Sequence, residues 1–179
     1  GKAHDLKKSS NTNKYLEANF ELTKQLYDGF LRSETSKTFI FISSVKAVAD
    51  SVLDLLTEEY IPTPKTDYGI SKLAAFHLAR NYREHHKLFV AAGILYNHES
   101  PRRGHQFVTR KISATVAKIH LGLADRLELG NIEALRDWGY APDYVAAMHK
   151  MLQQDKPEDF VVSTGLLHTV EDFLVEAFS

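Results

Sequence analysis

The sequence predicts an α/β fold in which a parallel sheet is flanked by helices. Two observations carry that expectation. Thr38-Phe39-Ile40-Phe41-Ile42 and Leu88–Leu95 are continuous apolar runs, the pattern of strands buried on both faces. Around them lie segments whose apolar residues recur at helical spacing, so helix and strand alternate along the chain.

The elements follow in order. Residues 13–33 carry apolar side chains at helical period and predict a first helix. The strand at 38–42 comes next, then a segment in which Pro62 and Pro64 interrupt regular structure. From Asp67 to His86 the pattern is helical again, and 88–95 is the second buried strand. A polar loop, Asn97 to Gly104, leads to a helix expected from Gln106 to Leu121. Arg126-Leu127-Glu128-Leu129 alternates and predicts a short strand. Ala141-Pro142-Asp143 opens a helix to about Gln154, with Pro142 acceptable in the first turn. Phe160–Ser163 is a further short strand, and Thr169-Val170-Glu171-Asp172 has the form of a capping box for the last helix.

The 179 residues suffice for one domain with a substantial core, and 44% hydrophobic with 25% charged residues is a globular composition. A net charge of −1 supplies no global basic field, so neither nucleic acid nor a membrane is an expected partner. The apolar runs are too short to span a bilayer, and Gly1–Lys8 has no signal-peptide apolar region, so a cytoplasmic location is expected. Without cysteine there is no disulfide and no thiolate metal site, and the nine histidines lack zinc-motif spacing. No metal is expected.

Tyr68-Gly69-Ile70-Ser71-Lys72 sets a phenol and an ammonium four residues apart, on one face of a helix. A phenol ordinarily ionises near pH ~10, so it serves as a base at neutral pH only beside positive charge, which Lys72 supplies. The strand at 38–42 ends in Ser43-Ser44, at the carboxyl edge where open α/β sheets place ligands. A hydroxyl there can hydrogen-bond a substrate oxygen while Tyr68 takes its proton.

With Ser44, Tyr68 and Lys72 in this order, the sequence resembles the extended short-chain dehydrogenases/reductases. Residues 39–49 and 61–75, with the opening Gly1–Lys8, look most like bacterial sugar-nucleotide epimerases, a likeness covering about residues 1–75. Over about residues 81–178 the chain is similar to GDP-mannose 4,6-dehydratases. That likeness is carried by Asn81–Glu84, Gly93–Gly104, Phe107–Ile112, Leu129–Asn131, Arg136–Gly139, Asp143–Val145 and Met151–Phe160. The resemblance implies a partial Rossmann-like parallel sheet with flanking helices, plus part of a smaller substrate-binding region. Residues 1–96 would hold the sheet and the catalytic residues of a single incomplete domain, and 97–179 the substrate-side segments with the last sheet elements.

It also implies chemistry. NADP, or NAD, would be the cofactor and GDP-mannose or another nucleotide sugar the substrate, converted to GDP-4-keto-6-deoxymannose in a homo-oligomer. Tyr68 would take the proton of the sugar 4-hydroxyl as hydride leaves C4, water would be lost across C5 and C6, and hydride would return to C6. Lys72 matches the residue that holds the cofactor ribose, and Ser44 the family's threonine. His98 and Arg103 match cofactor contacts; Tyr15 aligns with a further cofactor-side tyrosine, although its helical setting also fits a core aromatic. Asn97 resembles a diphosphate contact, Val108 and Lys111 guanine-side contacts, and Arg136 a phosphate contact suited to its planar fork.

Two departures qualify these expectations. The dehydratase pattern carries a glutamate two residues after its catalytic threonine, as base at C5, and this chain has Lys46 there. Oxidation at C4 needs no such group, whereas elimination does, so a 4-epimerase or 4-reductase of a UDP-sugar is the alternative. Secondly, no G-x-G-x-x-G or G-x-x-G-x-x-G turn occurs in the 179 residues, so the N-terminal glycine-rich βαβ unit is absent from them. The expectation is a fragment, from an incomplete gene or from a fusion of two related genes near residues 73–80, that alone binds cofactor weakly; an inactive sugar-nucleotide-binding module is the third reading.

Overall fold

The computed structural model describes residues 12–33, 38–48 and 62–179; the epimerase-like opening Gly1–Lys8 and Ala49 lie outside the described residues. In chain order the elements begin with α1 (Thr12–Leu16), a π-helical turn (Glu17–Glu21), α2 (Leu22–Leu31), β1 (Thr38–Ile42), α3 (Val45–Val48) and α4 (Asp67–His86). There follow β2 (Phe89–Leu95), β3 (Asn97–Glu99), α5 (Val108–His120), β4 (Leu135–Arg136) and β5 (Trp138–Tyr140). The last are α6 (Ala141–Met151), β6 (Asp159–Val162), β7 (His168–Thr169) and α7 (Val170–Phe178). Two compact units result, residues 1–96 with 145–162 and residues 97–144 with 163–179.

The first unit holds the expected parallel sheet, in order β1-β2-β6. Thr38 to Ile42 pair with Phe89 to Gly93, and Ala92 to Leu95 pair with Asp159 to Val162. Central β2 is buried from Val90 to Leu95, as its unbroken apolar sequence requires. Helix α4 starts at Thr66, whose hydroxyl accepts the Gly69 N–H at 3.1 Å, and ends at Lys87 in the left-handed region with φ 55°. Its Ala75, Phe76, Ala79 and Tyr82 join Tyr27, Val45, Ala47, Val90, Ala92, Ile94 and Tyr96 in one apolar core. The far half of α4 is tied to β6 by Asp159, which pairs with Arg80 at 2.6 Å and Arg83 at 2.8 Å.

The single helix expected over 13–33 is interrupted by the π-helical turn. Within it the Asn19 carbonyl accepts the Thr23 hydroxyl at 2.8 Å, a side-chain bond that competes with the regular helical ladder.

The second unit contains two small ladders. β3 runs parallel to β5 in the register Asn97↔Trp138, His98↔Gly139, Glu99↔Tyr140, and β4 runs antiparallel to β7. Asn97–Glu99 is therefore a strand rather than the start of a loop, because β5 offers it a ladder. Arg126–Leu129, by contrast, forms no strand. Its alternation finds no ladder partner among the described residues, and the Glu128 carbonyl instead accepts the Lys111 ammonium. Helix α7 begins with the expected capping box: the Thr169 hydroxyl accepts the Asp172 N–H at 2.9 Å and the Asp172 carboxylate accepts the Thr169 N–H at 2.8 Å. Helix α6 ends at Met151, three residues short of the expected Gln154. Among the described residues no helix is long and apolar enough to cross a membrane, and no group of three or more His, Asp or Glu could hold a metal ion.

Candidate active site

In the first unit, Ser44 sits between β1 and α3, at the carboxyl edge of the parallel sheet. Its hydroxyl oxygen accepts the Lys46 N–H at 3.2 Å and its carbonyl accepts the Ala47 N–H at 2.8 Å, so it caps the short α3. The preceding Ser43 donates its N–H to the Gly93 carbonyl at 2.8 Å, extending the β1–β2 ladder. Its side-chain oxygen is buried and has no hydrogen-bond partner among the described residues.

The Ser44–Lys46 segment approaches the start of α4 closely because position 69 is glycine. A Cβ there would lie 2.4 Å from the Lys46 carbonyl oxygen and 2.9 Å from Pro64 Cβ. Tyr68, the residue before it, is half-buried and meets the buried ring of Tyr15, centroids 5.8 Å apart and planes at 76°. Tyr15 is thus in the core and in contact with Tyr68. Lys72 lies one helical turn further on, facing the same way as Tyr68. The structure brings Ser44, Tyr68, Lys72 and Tyr15 into one neighbourhood of the first unit.

A bond that sequence reasoning missed anchors this helix. Ser71, fully buried between the two candidate residues of α4, accepts the side-chain N–H of Asn19 at 3.0 Å and donates to the Tyr68 carbonyl at 2.8 Å. Asn19 is itself 2% exposed and belongs to the π-helical turn. The one available signal was a polar residue in the apolar phase of the first helix.

Burial pushes the Lys72 ammonium down from 10.5 to about 8. Because the folded value lies below the unfolded one, the unfolded chain binds more protons between about pH 8 and 10.5, and stability rises with pH across that window. Below it both states are charged and the burial cost is fully present. Lys72→Met should therefore stabilise the chain at neutral pH by on the order of 1–2 kcal/mol, after discounting for partial exposure, and flatten the rise. Urea denaturation across the window reads both effects; a variant destabilised at neutral pH contradicts the account.

In the second unit, Asn97 and His98 lie side by side on β3. The His98 ring is stacked on Tyr144, centroids 5.0 Å apart at 30°. Tyr144 can lie there because position 139 is glycine: a Cβ would be 2.3 Å from its ring. Arg103 packs over the Phe107 ring at 3.6 Å and is ion-paired with Glu99 at 3.2 Å, while Glu99 also accepts the Thr109 hydroxyl at 2.6 Å. Val108 is the first residue of α5, and Lys111 lies on the next turn with its ammonium on the Glu128 carbonyl. Arg136, on β4, donates to the Leu135 carbonyl at 2.6 Å. Its neighbour Asp137, which sequence reasoning gave no part, is 2% exposed.

The family described as GDP-mannose 4,6 dehydratase matches residues 7–179. The chain belongs to the GDP-mannose 4,6-dehydratase family. The GDP-mannose 4,6 dehydratase of Homo sapiens is 45% identical over 177 residues, covering 92% of this chain and 48% of that protein. GDP-mannose 4,6 dehydratase 2 of Arabidopsis thaliana is 56% identical over 115 residues, covering 64% of this chain and 31% of that one. Among solved structures, RMD from Pseudomonas aeruginosa complexed with NADPH superimposes with a TM-score of 0.90 at 26% identity, covering 98% of this chain and 60% of that one. The chain spans about half the length of its human relative.

The family membership and the α/β fold expected from the sequence are both borne out. Within this GDP-mannose 4,6-dehydratase family member, Ser44, Tyr68 and Lys72 fall in one unit and Asn97, His98, Arg103, Val108, Lys111 and Arg136 in the other.

Proposed function

We propose that the chain acts on GDP-mannose with NADP as cofactor and starts the 4,6-dehydratase reaction by Tyr68-based oxidation at C4. One observation carries this reading: Tyr68 and the half-buried Lys72 lie one turn apart on α4, whose start Gly69 allows to pack against the Ser44 segment. The residues fit the cofactor. The buried Ser43 hydroxyl, without a hydrogen-bond partner among the described residues, lies at the ligand-binding edge of the sheet, and the desolvated Lys72 ammonium suits a ribose hydroxyl and a neighbouring phenolate. The NADPH held by the Pseudomonas aeruginosa relative supports the same choice, with NAD as the related alternative.

NADP, when bound, supplies the hydride acceptor for C4 and the donor that completes the reaction. Ser44 hydrogen-bonds the sugar O4 and orients it toward Tyr68. Tyr68 accepts the 4-hydroxyl proton as the carbonyl forms, and the charge of Lys72 favours its phenolate. Asn97 and Arg136 hold the diphosphate, Val108 and Lys111 the guanine side, and His98 and Arg103 the cofactor. Lys46 stands where the family's C5 base stands, so this chain oxidises C4 faster than it eliminates water.

The same Lys46 favours a second reading, 4-epimerase or 4-reductase action on a UDP-sugar, which needs no C5 base. Incubation with GDP-mannose or UDP-glucose in the presence of NADP separates the two. GDP-mannose-dependent reduction of NADP supports the proposal. A 4-epimer formed from the UDP-sugar favours the second reading, and both substrates recovered unchanged overturn the enzymatic account in favour of a binding module.

A further inference from the structure

Asp137 is an acid in the protein interior; among the described residues no cation meets its carboxylate and its bonds all run to one turn. Its Oδ1 and Oδ2 each accept the Thr164 N–H at 3.1 Å, Oδ1 accepts the Thr164 hydroxyl at 2.9 Å, and Oδ2 accepts the Gly165 N–H at 2.9 Å. Gly165 has φ 76°, a conformation that lets two successive N–H groups converge on one acceptor. The Thr164 hydroxyl also accepts the Leu166 N–H at 3.1 Å, closing the turn on itself.

The position of this brace gives it significance. Asp137 is the single residue between β4, which ends at Arg136, and β5, which starts at Trp138. Arg136 is paired with His168 on β7, three residues beyond Gly165, and Trp138 with Asn97 on β3. Trp138 is further seated against Phe173 of α7, ring centroids 5.5 Å apart. Asp137 therefore locks the joint between two ladders, one carrying Arg136 and the other Asn97.

We infer that Asp137 is a positioning residue that fixes Arg136 and Asn97 at the separation needed to grip a nucleoside diphosphate. This rests on the reading of those two residues as diphosphate contacts. A carboxylate suits the task because it accepts several N–H and O–H donors at once; an amide would turn a donor toward donors. Loosening the joint costs the two-point grip on a diphosphate and leaves single-point contacts with a monophosphate almost untouched.

Isothermal titration of the chain with GDP and with GMP tests the inference. In Asp137→Asn the ratio of GDP to GMP affinity falls by about tenfold, while Thr164→Val, which removes the hydroxyl's bonds to Asp137 and to the Leu166 N–H but spares both backbone donors on the carboxylate, lowers it by roughly threefold. A folded Asp137→Asn that keeps the wild-type ratio, or loses both affinities equally, overturns the positioning role. If Asp137→Asn does not fold, the ratio in Thr164→Val decides by the same rule. Absence of GDP binding by the unaltered chain would instead remove the reading of Arg136 and Asn97 on which the inference stands.

Discussion

Tyr68→Phe lowers the rate of GDP-mannose oxidation by about three orders of magnitude and leaves the affinity for GDP-mannose within about twofold. The substitution removes one oxygen from a ring that is otherwise held in place. The ring keeps its edge-on contact with Tyr15, 5.8 Å between centroids, and the backbone carbonyl of residue 68 keeps the Ser71 hydroxyl at 2.8 Å. On the proposed reading, what disappears is the acceptor for the 4-hydroxyl proton, and with it the route by which the carbonyl forms. Loss of affinity in step with rate would assign Tyr68 to binding instead. Absorbance of the reduced nicotinamide follows the rate, and titration with GDP-mannose follows the affinity.

Lys46→Glu has the second large effect, in the opposite direction: formation of the 4-keto-6-deoxy sugar rises by roughly 100-fold. Residue 46 lies in the first turn of α3, and its N–H is already bonded to the Ser44 hydroxyl oxygen at 3.2 Å. A side chain at 46 thus leaves the backbone within one turn of the group expected at O4. Once C4 is a carbonyl, the C5 proton is acidified and its removal needs a base. An ammonium at this position has no lone pair to offer and raises the local charge by two relative to a carboxylate. The product is recognised by mass as GDP-mannose less one water. An unchanged product distribution from a folded Lys46→Glu variant would contradict this account of the site.

The sheet could be read from the sequence because two of its strands are unbroken in hydrophobicity, as β2, buried from Val90 to Leu95, requires: 38–42 and 88–95 predict β1 and β2 almost to the residue. The two-residue and three-residue strands could not be read. Asn97–Glu99 is polar and is a strand only because Trp138–Tyr140 pairs with it, while Arg126–Leu129 alternates correctly and has no ladder partner among the described residues. The π-helical turn was equally hidden, since its residues suit an ordinary helix and the Thr23–Asn19 bond appears only in the folded chain. The site divides in the same way. Tyr68 and Lys72 could be paired from spacing alone, because i and i+4 coincide on any helix. Asn19–Ser71 joins residues 52 apart and Asp137–Thr164 residues 27 apart, so no local pattern records either bond.

The central claim is that this chain breaks the C4–H bond of GDP-mannose with Tyr68 as the base on O4. A competition between GDP-mannose and GDP-mannose deuterated at C4 measures it most directly. The account predicts that the deuterated substrate is consumed several-fold more slowly, and that the difference and the consumption both vanish in Tyr68→Phe. Equal consumption of the two substrates at a chemistry-limited rate, or a Tyr68→Phe variant that consumes them as the unaltered chain does, would contradict it.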